Sequence, residues 1–257
     1  MNSFSKKVNI WGISFNSIRK VDFIELIDNH ISFHSDKLLH ITGVNPETIS
    51  QSFNNSQLLN AINSSDLINI DNTLVLLMLR LSGVRAPERV ATPDLFEDML
   101  SLAEKRGYSI YLLGSKEDVL TKAIKNIKFQ YPEIIIAGYR NGYYKQEEIP
   151  KVYEDIKKVK PKMIFLALPT PDKEIFIQNC KYTLGVPVLL GVGGAIDVKA
   201  GLVIRAPLFF RKIGLEGIHR ALQNPRNYGK RYLTLYPAFI WFAIKEMFKR
   251  KNRSQLT

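Results

Sequence analysis

Asp71 is placed to do acid–base chemistry. It follows residues 67–70 (LINI), a short apolar run that reads as a buried strand, so its carboxylate stands at a strand end where a helix can open. A carboxylate there can take a proton from a ligand hydroxyl as general base, and it can equally cap the helix that follows. Asn72 beside it tolerates left-handed backbone, as a tight functional turn requires. Other ligand-binding candidates also follow apolar runs. Residues 42–47 (TGVNPE) bring Thr42 and Asn45, Gly114 and Ser115 follow residues 110–113, and Lys173 lies in residues 169–174 (PTPDKE). Gly191, Gly193 and Gly194 follow residues 188–190, with Asp197 just beyond. Such glycines let backbone approach a ligand or simply form a turn. Asp197 can hold a ligand hydroxyl or cap a turn. Arg89, in the stretch APERV, has a guanidinium whose fork fits phosphate oxygens and carboxylates alike.

Several chemistries lack their residues. There is no Asp-x-Asp pair, and His30, His34, His40 and His219 have no zinc-ligand partners in the sequence, so no metal site is expected. No Walker A loop or serine nucleophile elbow occurs, and residues 191–194 lack the GxGxxG spacing of dinucleotide sites, so no cofactor is expected either. Cys180 is the single cysteine, which excludes an internal disulfide. No apolar run reaches the length of a membrane span, and the polar start, with Lys6 and Lys7, leads into no apolar stretch. The expected location is the cytoplasm.

These residues need a scaffold that brings strand ends together. A chain of 257 residues, 46% hydrophobic, suits one α/β domain with or without an appendage. Residues 38–41, 67–70, 110–113, 134–137, 163–168 and 188–190 read as strands, each apolar throughout. Residues 93–105, 117–129, 146–159 and 173–182 read as helices, the first with Thr92 as N-cap and Pro93 at its start. The alternation predicts an α/β fold: a mostly parallel sheet with helices on both faces, Rossmann-like. Ligands bind such sheets outside the carboxyl ends of the strands, which would put the candidate segments on one rim. Residues 8–13 and 21–34 read as a small edge strand followed by a helix.

Charge divides the chain in two. The net charge is +12, and residues 205–257 carry twelve Lys and Arg against two acidic residues, leaving +2 for the rest. We therefore expect a catalytic domain over residues 1–204 and a basic helical C-terminal appendage over 205–257. The 13-residue run 232–244, with Pro237 and Trp241, is too short to span a bilayer and ends in Lys249, Arg250, Lys251 and Arg253. Aromatic rings flanked by cations suit an anionic membrane surface, while a core-packing terminal helix with a basic end would look similar. The same Arg and Tyr mixture would serve an alternative, a basic nucleic-acid-binding α/β module. No nucleic-acid motif appears and the aromatics sit beside an apolar run, so the expected partners include no nucleic acid.

The ordered set of segments resembles the bacterial WecG/TagA/CpsF glycosyltransferase family, over roughly residues 39–233. The residues that carry it are 42–47, Ile70-Asp71, Pro87 to Ala91 with Asp94, Tyr111 to Gly114, Thr170-Pro171 with Glu174, Gly191 to Gly194 with Asp197, and Arg205-Ala206-Pro207 followed by Gly214-Leu215-Glu216. The resemblance implies transfer of a sugar, often of the N-acetylmannosamine type, from a UDP-sugar donor to a polyprenyl-diphosphate-linked acceptor in cell-surface polysaccharide synthesis. It implies inversion without a metal, Asp71 as base, and a basic appendage that reaches the inner face of the cell membrane and completes the site. Arg220, Arg226 and Arg231 would then neutralise lipid diphosphate, with Thr42, Asn45, Arg89, Gly114, Lys173, the glycines and Asp197 contacting substrate. A homo-oligomer is left open. The sequence departs from the family pattern in three places: Gly43 stands where the family's Thr-x-Asn has threonine, Asn72 replaces the glycine after the aspartate, and Lys173 replaces a glutamine.

Overall fold

The computed structural model describes residues 7–180, 183–212, 216–223 and 225–254. The chain opens with an antiparallel hairpin of β1 (Lys7–Ile10) and β2 (Ile13–Asn16), then α1 (Lys20–Phe33). The sequence reads residues 8–13 as one strand. The structure instead turns at Trp11 and Gly12, whose φ values of 55° and 76° are both positive, as a two-residue type I′ hairpin turn demands. A tryptophan in that conformation is held by packing, with its ring edge-on to Phe15 and to Phe239 near the other end of the chain.

The remaining elements follow in order as β3 (Leu39–Val44), α2 (Pro46–Ser52), α3 (Ser56–Asn63), β4 (Leu67–Ile70), α4 (Thr73–Leu81), α5 (Thr92–Arg106), β5 (Ile110–Gly114) and α6 (Glu117–Gln130). They continue as β6 (Ile136–Arg140), α7 (Ile149–Val159), β7 (Met163–Ala167), α8 (Asp172–Cys180), β8 (Val188–Gly191), α9 (Ala195–Lys199), α10 (Leu208–Lys212), α11 (Glu216–Gln223) and α12 (Pro225–Ser254). Six strands form one sheet in the order β4-β3-β8-β7-β5-β6, with every neighbouring pair parallel. The fold is α/β, with helices on both faces. On one face Leu39, Ile41, Leu112, Phe165 and Leu190 join a core with α1, α5, α6 and α9. On the other, Leu113, Ile164, Leu166 and Leu189 meet α7 and α8, while Val44, Ile68 and Ile70 meet α2, α3, α4, the hairpin and α12. Burial on both faces is why the central strands are apolar without alternation.

Two strands depart most from the sequence reading. β3 runs three residues further, to Val44, so Thr42 and Gly43 belong to the strand and the loop begins at Asn45. β6 is shifted toward Arg140 because it is an edge strand, where half-exposed polar residues are tolerated and the apolar pattern fades. Residues 181 and 182, which close the expected helix after Lys173, lie outside the described residues.

The C-terminal run packs on the core through one face of a long helix. α12 is one helix with Pro237 inside it. One face docks: Phe239 and Ala243 are fully buried in the core shared with the hairpin and α4, Phe242 lies on Phe53, and Ser50 Oγ donates to the Leu235 carbonyl at 3.0 Å. The opposite face leaves Leu233, Trp241 and Phe248 exposed. Among the described residues, no helix is long and apolar enough to cross a membrane.

Candidate active site

The carboxyl ends of β3, β4, β5, β7 and β8 open onto one cavity of about 370 Å³. Asp71 lines it at the end of β4. Its Oδ1 accepts from the backbone N–H of Thr92, the first residue of α5. The backbone N–H of Asp71 itself donates to the Val44 carbonyl at 3.2 Å. Oδ1 is thus fixed, and Oδ2 has no partner among the described residues. Two sequence readings are corrected here. Asp71 does not cap the helix it precedes, because Asn72 does, accepting from the Leu74 N–H at 2.8 Å. Thr92 does not cap α5 with its hydroxyl, because the Asp71 carboxylate reaches across and satisfies that helix end, where a negative charge is favoured.

The rest of the rim is built in the same way, from strand ends. Asn45 caps α2, its Oδ1 accepting from Thr48 N at 3.0 Å, which leaves the amide NH2 as its donor. Gly191, at the end of β8, and Gly193, Gly194 and Asp197 beyond it line one wall. Gly193 sits at φ +49°, and a Cβ on Gly191 would lie 2.7 Å from Lys173 Cδ, so glycine there makes room for the lysine stem. Lys173 lines the cavity while largely buried, with Nζ 3.0 Å from Glu174 Oε1.

Arg89 also lines the cavity, and there it meets the carboxylate partner that the sequence reading allowed. Its Nη1 donates to Glu216 Oε2 at 3.2 Å, within a cluster that ties the segment after residue 204 to the core. Asp94 Oδ1 accepts from Arg205 at 2.6 Å and from Arg211 at 3.4 Å. Burial alone would raise the Asp94 carboxyl, but the Arg205 hydrogen bond and the charges of Arg205, Arg211 and Arg89 outweigh it and hold the group below the usual carboxylate range.

Two expected substrate contacts do not line the cavity. Thr42 points to the opposite face of β3, fully buried, with its hydroxyl 2.7 Å from His40 Nε2 and 3.1 Å from Ser65 Oγ. The extension of β3 decides this, since alternate strand residues face opposite ways and Gly43 takes the cavity side. Gly114 gives way to Ser115 on the lining, and its own place lies against the backbone of Ala167, where a Cβ would come within 2.4 Å of the carbonyl oxygen. The side chains of Arg220, Arg226 and Arg231 lie outside the described residues. Among the described residues, no group of three or more His, Cys, Asp and Glu side chains converges as a metal site would.

Among the lining residues that sequence reasoning missed are Thr92, as a site residue, and Tyr236 on α12. Asn72 Nδ2 donates to the Tyr236 hydroxyl at 3.3 Å, so the C-terminal helix closes part of the cavity. No local signal marks either residue, because each meets the site through a distant part of the chain.

Comparison with known proteins adds the decisive observation. The family described as Glycosyl transferase WecG/TagA/CpsF matches residues 8–253. The chain belongs to this family. It is a glycosyltransferase, and the nucleic-acid-binding alternative gains no support. Similar proteins from several bacteria carry the name N-acetylglucosaminyldiphosphoundecaprenol N-acetyl-beta-D-mannosaminyltransferase. The protein of that name from Bacillus subtilis (strain 168) is 32% identical over 245 residues, 95% of this chain and 93% of the relative. That from Staphylococcus aureus (strain MW2) is 29% identical over 250 residues, 97% of each. For a WecG/TagA/CpsF transferase, the rim of strand ends around Asp71 is therefore the place to look for the reaction.

Proposed function

We propose that this transferase moves an N-acetylhexosamine, such as N-acetylmannosamine, from a UDP-sugar to a polyprenyl-diphosphate-linked sugar in cell-surface polysaccharide synthesis. The observation that carries the reading is the Asp71 carboxylate on the cavity, with one oxygen pinned by α5 and the other unpartnered among the described residues. Oδ2 takes the proton of an acceptor hydroxyl. That oxygen attacks the anomeric carbon, the bond to the diphosphate breaks, and UDP leaves with the electron pair. Attack opposite the leaving group inverts the centre, and no step calls on a metal. The glycines at 191, 193 and 194 allow backbone to come against the donor diphosphate.

Charge explains why an appendage belongs in the scheme. Glu47, Asp71, Asp197 and Glu216 line the cavity against Arg89 and Lys173, and both cations are paired with carboxylates. A diphosphate entering there needs further positive charge to be stabilised as it departs. The nearest reservoir is residues 205–257. Arg205 and Arg211 already stand at the rim cluster, and Arg220, Arg226 and Arg231 would meet the lipid diphosphate. In this reading residues 1–204 form the catalytic unit, and 205–257 close one wall and rest peripherally on the inner face of the membrane. The exposed Phe209, Leu233, Trp241 and Phe248 provide apolar side chains for the headgroup layer.

Two experiments test this. Purified protein given UDP-N-acetylmannosamine and a short-chain polyprenyl-diphosphate N-acetylglucosamine should release UDP only when both are present; no acceptor-dependent release across a panel of UDP-sugars would refute the reaction. In flotation, the protein should rise with vesicles containing anionic lipid, and Trp241→Ala with Phe248→Ala should leave most of it at the bottom. Unchanged flotation of that double variant would remove α12 as the membrane contact.

A further inference from the structure

The floor of the cavity beside Asp71 holds a hydroxyl that the proposed mechanism does not use. Thr92 is 6% exposed, yet it lines the cavity together with Gly43 and Asp71. Its backbone N–H is spent on Asp71 Oδ1. Its Oγ1 accepts from Asn69 Nδ2 at 3.3 Å, and that nitrogen also donates to the Val90 carbonyl at 2.7 Å. The Thr92 hydroxyl proton has no acceptor among the described residues. Asn69 is fully buried, and its Oδ1 also lacks a partner. Buried polar groups left without partners cost free energy unless a ligand or water completes them.

Gly43 shows how tightly this unit is fitted. A Cβ on residue 43 would fall 2.0 Å from Thr92 Oγ1 and 3.1 Å from Asn69 Nδ2. The first separation is far inside van der Waals contact, and the Thr92 hydroxyl sits at a branched position on Cβ rather than at the end of a long chain. The absence of a side chain at 43 is therefore what admits the hydroxyl to the end of β3. Position 92 supplies the polar group at a point where position 43 supplies none.

We infer that Thr92 is a substrate-contacting residue. Its hydroxyl donates to an oxygen of the acceptor sugar adjacent to the attacking hydroxyl, and so aims that hydroxyl at Asp71 Oδ2. The inference rests on the glycosyl-transfer reading above and deepens it. One residue then does two things through two groups: its N–H orients the base and its O–H orients the nucleophile. Because the contact is to the acceptor, it predicts specificity for acceptor sugars with an oxygen acceptor at that position.

The test uses the full-length protein and the UDP-release assay. Thr92→Val keeps the backbone N–H and the side-chain shape but removes the hydroxyl, while Thr92→Ser keeps the hydroxyl. We expect Thr92→Val to lose about tenfold or more in kcat/KM for the acceptor, the scale of one hydrogen bond to a reacting substrate. The KM for the UDP-sugar should stay unchanged, Thr92→Ser should stay near wild type in kinetics and unfolding temperature, and Thr92→Val should remain folded at the assay temperature while unfolding somewhat earlier for want of the Asn69 hydrogen bond. Wild-type acceptor kinetics in Thr92→Val, or an equal loss in Thr92→Ser, would overturn the inference. If wild-type protein itself releases no UDP with lipid-linked acceptors, the glycosyl-transfer reading fails instead, before any variant is compared.

Discussion

Asp71→Asn is expected to leave the protein folded and to cut sugar transfer by about 10²–10⁴-fold, the usual worth of a positioned general base. The substitution separates the two jobs of this side chain. Asparagine is nearly isosteric, and its Oδ1 can still accept the Thr92 N–H that Asp71 now accepts. The end of α5 therefore keeps its cap. What is lost is the negative charge at a helix N-terminus, about 0.3–1 kcal/mol, which an α/β domain of this size tolerates. The amide cannot take a proton from the acceptor at neutral pH, so the chemical step loses its base. The measurement pairs UDP-release kinetics with thermal unfolding, both in excess EDTA, where wild-type turnover should persist. Near-normal turnover by a folded Asp71→Asn would remove Asp71 as base. Asp71→Ala should behave differently: it loses the cap as well as the charge, so its unfolding temperature should fall along with its activity.

How much of this could be read in the sequence follows from how local each feature is. The central strands were legible because β3, β5, β7 and β8 are buried on both faces and read as continuous apolar runs. The rim followed from them, since a parallel sheet collects its strand ends on one side. Thr42 was misplaced by a boundary: three more residues of strand put Gly43 on the cavity side and turned Thr42 to the far face. The hairpin turn was hidden because Trp11 adopts a backbone conformation that tryptophan rarely takes, held there by Phe239 from the other end of the chain. Distance in sequence hid the rest. Thr92 meets Asp71 across 21 residues and Tyr236 meets Asn72 across 164, and no spacing rule reaches so far. Arg89 shows a different limit. Phosphate and carboxylate partners look the same from its side, and only the arrival of Glu216 shows which one holds it in the absence of substrate.

Phe239→Ala carries the largest expected cost in stability, and it tests whether α12 is part of the catalytic unit. The ring is fully buried and meets Trp11 edge-on at 5.3 Å. Truncating a buried phenylalanine costs about 3–5 kcal/mol through lost transfer energy and the cavity left behind. That is a large share of the roughly 5–15 kcal/mol by which domains are stable, so the urea midpoint should drop sharply. Activity should fall too, because Tyr236, one turn earlier on the same helix, lines the cavity and accepts from Asn72. The contrast is Trp241→Ala, two residues on but on the outer face, where the side chain is 72% exposed. Its stability should stay within about 0.5 kcal/mol of wild type, while vesicle binding weakens. An unchanged urea midpoint in Phe239→Ala would mean that α12 docks too loosely to shape the site. The expected split, stability and turnover with Phe239 and membrane binding with Trp241, would mean that one helix joins the reaction on its inner face to the lipid on its outer face.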